Sequence, residues 1–104
     1  MINDQQQQII FDLAHRAGLE ASNNTKPHVS WIPGVAWVVI DGNSEFSRWT
    51  KKRGLSRQGT YKGREISSSK LVPDHLDHKE AYVRAFAKTL NDYGVKAGAH
   101  SRLD

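Results

Sequence analysis

Apolar positions fall into a few groupings separated by polar stretches. The first is helical: Ile10, Leu13, Ala14 and Ala17 recur at i, i+3, i+4 and i+7, with Ile9 beside them. This spacing predicts a helix from about Asp4 to Ala17. Asn3 is its expected N-cap, Asp4 places a negative charge in the first turn where the dipole favours it, and Gly18 is its expected stop. Gln5 to Gln8 are good helix formers and belong to this element. Ser22 to Pro27 offers turn-forming residues and no packed face.

The second grouping, Val29 to Ile40, is rich in Val, Ile and Trp and predicts strand, interrupted by Pro33-Gly34. Proline cannot donate to a ladder, so this is two strands or a bent edge strand. Asp41-Gly42-Asn43-Ser44 supplies turn chemistry, and Glu45 to Trp49 alternates as a returning strand would. In that hairpin Phe46 lies on one face and Glu45, Ser47 and Trp49 on the other, so Trp49 is expected to be partly exposed, while Trp31 and Trp37 are assigned to the core. Thr50 to Ser69 reads as a charged, mobile loop punctuated by Gly54, Gly59 and Gly63, with strand hints only at Thr60-Tyr61 and Glu65-Ile66.

The last grouping is a second helix. Pro73 restricts the residue before it and Asp74 is the expected cap. Leu76, Val83, Phe86, Ala87 and Leu90 then form an apolar stripe that runs on to Tyr93, and Gly94 ends it. Val95 to Asp104 reads as a frayed polar tail. A lone hairpin cannot hide both its faces, so the two helices are expected to flank a small antiparallel sheet, a hairpin plus a possible third strand. The expected class is α+β, one small domain over residues 1–104, with a basic loop at about 50–70 and the tail at about 95–104.

Charge changes this picture more than composition does. The chain has 104 residues and a formal net charge of +4, but the excess is not evenly spread. Between Glu45 and Lys70, eight bases (Arg48, Lys51, Lys52, Arg53, Arg57, Lys62, Arg64, Lys70) stand against Glu45 and Glu65, a net of +6, while residues 1–24 net −2. Such a block creates a local field that attracts polyanions or an acidic protein face. The absence of cysteine excludes disulfides, thiolate metal sites and cysteine nucleophiles, and it fits a reducing, cytoplasmic location. No apolar run approaches the roughly 18 residues of a membrane span, and Met1 to Leu13 lacks the basic start and long apolar middle of a secretory signal.

Several motifs were weighed as chemistry. Gly54-Leu55-Ser56-Arg57-Gln58-Gly59-Thr60 has the glycine spacing of a phosphate-binding loop, with Thr60 where its lysine should stand. Asp74, His75, Asp77 and His78 form the densest set of potential metal ligands, the one route to a metal-dependent nuclease, yet with His28 or His100 added they match no recognised spacing. Ser67 to Ser69 lack a nucleophile elbow. Neither a catalytic residue nor a metal or cofactor is therefore expected.

The basic segment needs only charge, reach and planar side chains to function. Arg48, Lys51, Lys52, Arg53, Arg57, Lys62 and Arg64 are candidates to neutralise phosphates, with Trp49 and Tyr61 as candidate stacking platforms. The expected function is a non-enzymatic module that binds the backbone of DNA or RNA, with no sequence-reading motif present. The alternative is an accessory or inhibitor protein docking on an acidic protein surface; the short, cysteine-free, one-sided make-up is similar to that of small phage and plasmid proteins. A hairpin with an open edge also allows a homodimer.

Overall fold

The computed structural model describes residues 4–26, 34–59 and 63–103. The expectations placed on Asn3, Val29 to Pro33, Trp31 and Thr60-Tyr61 lie outside them. Seven elements follow in order: α1 (Asp4–Asn23), β1 (Gly34–Asp41), α2 (Glu45–Lys52), β2 (Arg57–Gln58), β3 (Gly63–Ser67), α3 (Leu76–Asp92) and β4 (Ala97–Leu103). The strands form one antiparallel sheet in the order β2-β3-β1-β4. The N- and C-terminal helices flank it, so the class is α+β as the pattern predicts, with four strands among the described residues. None of the described helices is long and apolar enough to cross a membrane.

The core lies between one sheet face and the helices. Gly34, Ala36, Val38 and Ile40 of β1 and Ile66 of β3 are buried there against Ala14, Val83, Phe86 and Leu90. Phe86 is fully buried and Phe11 meets its ring edge-on at 5.4 Å. Gly94 adopts φ +84° just after α3, the left-handed turn expected of a helix stop.

Several local expectations are overturned, among them the basic loop at about 50–70, which instead holds the end of α2, β2 and β3. Glu45 to Trp49 is not a returning strand; it is most of α2. Ser44 has extended backbone and its Oγ accepts the Ser47 N–H at 3.0 Å, which caps a helix start, and Glu45 and the Lys51-Lys52 pair complement the dipole at the two ends. Phe46, Trp49 and Thr50, at i, i+3 and i+4, are all buried. The partners of β1 are therefore the distant β3 and β4 rather than a hairpin neighbour.

Gly18 does not stop α1, which runs one and a half turns further. It is buried against α3, where a Cβ would stand 2.5 Å from the Tyr82 ring and 3.0 Å from the Tyr82 carbonyl oxygen. The glycine lets two helices approach. Residues 97–103 are not a frayed tail; β4 pairs with β1 along its length, from Gly34↔Leu103 to Ile40↔Ala97. Asp74 does not cap α3, since the N-cap is His75 without a side-chain bond, and Asp74 instead pairs with Lys79 Nζ at 2.6 Å. Trp37 is not in the core: with Val35 and Val39 it is half-buried on the opposite face of β1.

Candidate nucleic-acid interface

The basic segment folds into three structures, α2, β2 and β3, and its cations separate accordingly. On α2, Arg48, Lys51 and Lys52 occupy i, i+3 and i+4 and project outward as exposed residues, while Phe46, Trp49 and Thr50 anchor the opposite side. Arg64 lies on β3, opposite Gln58 of β2. Arg48, Lys51, Gln58 and Arg64 converge on a cleft of about 310 Å³ that Gly42 and Gly63 also border. Arg48 Nη1 donates to the Asn43 carbonyl at 3.0 Å. Ser56 accepts from Arg64 twice, Oγ from Nε and the carbonyl from Nη2, both at 2.8 Å, which fixes the guanidinium in place. No described carboxylate pairs with Arg48, Lys51 or Arg64.

Ser47 lies behind the wall of this cleft. The residue is fully buried, and its Oγ has no hydrogen-bond partner among the described residues. A buried hydroxyl left unsatisfied costs about 1–3 kcal/mol, and with the residue 0% exposed an acceptor resting in the cleft does not reach it.

Two of the sequence-predicted cations are committed elsewhere. Arg53 Nη2 contacts both Asp4 carboxylate oxygens, at 2.9 and 2.7 Å, and its guanidinium sits 5.4 Å from the Trp49 ring centroid. Arg57 Nε pairs with Glu65 at 3.2 Å. Trp49 is not available as a stacking platform: it is 2% exposed, packed beside Phe46 and Phe11, and its Nε1 donates to Asp4 at 2.6 Å. The hydrogen bonds from Arg53 and Trp49 hold the Asp4 carboxyl below the usual carboxylate range. Tyr61 and Lys62 lie outside the described residues. Lys52 is exposed beside Lys51 but does not line the cleft.

The other candidate chemistry takes different forms. Gly54, at φ +69°, closes the turn after α2, and the segment behind it continues as β2 instead of the helix that a phosphate-binding loop requires. No three described His, Asp or Glu residues are grouped to hold a metal; His75 and His78 meet edge to face at 5.6 Å, and His78 is largely buried. A concavity of about 420 Å³ beside β3 is bordered by His15 and Tyr82, whose Nδ1 and Oη lie 2.6 Å apart. Burial pushes the Tyr82 hydroxyl well above its ordinary range, so it remains a phenol at neutral pH and is a poor nucleophile.

Two features of this surface escape sequence reasoning. The cleft itself carries no signal, because Arg64 and Gln58 reach α2 only once β2 and β3 have paired. Trp37 was hidden by Val35 and Val39, which make both faces of β1 read as apolar. No family model, curated protein or solved structure matches the chain.

Proposed function

We propose that this chain is a non-enzymatic nucleic-acid-binding module in which the cleft between α2 and β2-β3 seats backbone phosphates. The observation that carries the reading is the convergence on one cleft of Arg48, Lys51 and Arg64, three cations without a paired acid among the described residues. A run of backbone phosphates is matched by this set, each of the three cations meeting one of them. The chemistry is adhesion, and its affinity comes largely from counterion release.

The test is fluorescence anisotropy with labelled DNA and RNA between about 50 and 200 mM salt. Binding is expected to weaken steeply with salt, with a log–log slope near −2 to −3 for three phosphate contacts. Arg48→Ala and Lys51→Ala each reduce that slope by about 1, uniformly across sequences. Both residues are exposed on α2, so these variants keep the fold. The reading is abandoned if the wild-type chain binds neither polymer at the lowest salt, or if neither substitution changes the slope.

A further inference from the structure

The sheet has a second face, and no described helix covers it. Along β1 the side chains alternate: Gly34, Ala36, Val38 and Ile40 turn toward the core, and Val35, Trp37 and Val39 turn away. Trp37 stands at the centre of that outer face, flanked by Ser67 of β3 and His100 of β4. The small Ser67 leaves one side of the indole open. On the other, His100 lies nearly parallel to it, at 18° with 6.0 Å between centroids, and steadies the ring.

Beside Trp37 is a cleft of about 470 Å³ that also involves Val35, Arg57, Ser67, Lys79 and Arg102. Glu65 enters it too, but this carboxylate is already taken by Arg57. Lys79 is held at the rim by the Gly34 carbonyl at 2.7 Å and by Asp74. Arg102 is exposed and has no ion-pair partner among the described residues. An aromatic platform with cations and hydroxyls within reach suits a ligand that presents a flat apolar ring on an anionic backbone.

We infer that the open sheet face binds single-stranded nucleic acid, with an unpaired base stacked on Trp37 and the adjoining phosphate held by Arg102. A duplex does not meet this requirement, because its bases are already stacked on one another. Charge complementarity selects this occupant over a second apolar sheet: Arg57 and Lys79 are each paired with an acid, and Arg102, unpaired among the described residues, leaves the rim net positive. The inference rests on the nucleic-acid reading above but uses none of the phosphate-cleft residues, so the two fail separately.

The experiment titrates wild-type protein, Trp37→Ala, Trp37→Phe, Arg102→Ala and Lys51→Ala with short oligothymidylate and oligouridylate strands, and with the same strands annealed to their complements. Trp37→Ala is expected to weaken single-strand binding by about tenfold on at least one strand while duplex affinity stays within about twofold. Trp37→Phe restores most of the loss, since a smaller ring still stacks, and Arg102→Ala gives a smaller loss that salt removes. Duplex binding by the same Trp37→Ala sample reports that the variant is folded. Equal losses on single strands and duplexes, or no loss on either strand, overturn the inference, as does a dimer by size exclusion that dissolves in Trp37→Ala without any change in nucleic-acid affinity. Loss with Trp37→Ala but none with Lys51→Ala sustains it and removes the phosphate-cleft reading instead. Wild-type protein that binds neither polymer removes both.

Discussion

Asp4 holds two side chains at once, and neither is near it in sequence. Trp49 Nε1 and Arg53 Nη2 both donate to its carboxylate, which joins the start of α1 to the last turns of α2. The same contacts lower its pKa, with the Arg53 hydrogen bond as the leading cause. A carboxyl with a depressed folded pKa adds stability that is present above its unfolded value, about 3.9, and is lost as the pH falls through the folded value. Asp4→Asn keeps an acceptor for Trp49 and removes the charge. Urea unfolding at a series of pH values is expected to show the wild type more stable than Asp4→Asn above about pH 4, with the gap closing below it. The gap is modest, because the carboxylate is 63% exposed and screened by water. A gap that stays constant into acid would mean that Asp4 acts through shape alone.

At the scale of elements, the closest approach is that of α1 and α3 at Gly18. Alanine is intrinsically better in a helix by about 1 kcal/mol, yet a Cβ here would overlap the Tyr82 ring and press on its carbonyl. Tyr82 is buried, and its hydroxyl is tied to His15 Nδ1 at 2.6 Å. Overpacking of this kind costs about 1–3 kcal/mol, so Gly18→Ala is expected to lower the midpoint of thermal unfolding despite its better propensity; an unchanged or raised midpoint would show that the helices have room to part. This glycine also shows where sequence reading reached its limit. The apolar stripe of α3 was legible because Val83, Phe86, Ala87 and Leu90 repeat at helical spacing, and β1 was legible from its Val-Ile-Trp content. Glu45 to Trp49 satisfies the two-residue alternation and the helical spacing together, and only the Ser44 cap and the burial of Phe46 and Trp49 decide between them. β4, Ala-Gly-Ala-His-Ser-Arg-Leu, carries no alternation, because its place is set by pairing with β1 and not by its own burial. Of the candidate site, the cations of α2 and Arg64 could be named, whereas the engagement of Arg53 and Arg57 by acids depends on contacts across 49 and 8 residues.

For the molecule as a whole, the phosphate cleft is shared by its short elements. β1 sits in the middle of the sheet with a partner on each side, and α3 buries seven of its residues. By contrast α2 has eight residues, and β2 has two, both exposed and paired on one side only. Short elements with few backbone hydrogen bonds open locally at less than the global cost of unfolding. Amides of α2 and β2 are therefore expected to exchange with deuterium well before those at the centre of β1 and α3. A duplex bound in the cleft bridges Arg48 and Lys51 of α2 to Arg64 of β3, so any opening that parts them must also release the ligand. At a duplex concentration about 100 times its Kd, that linkage adds about 2.7 kcal/mol and slows exchange in α2 and β2 by about a hundredfold. The exposed end of β4 lies outside the cleft, and its local exchange should not change. Slowing confined to β4 with α2 untouched would move the phosphate seat away from α2 and overturn the cleft assignment, whatever affinity the titrations report.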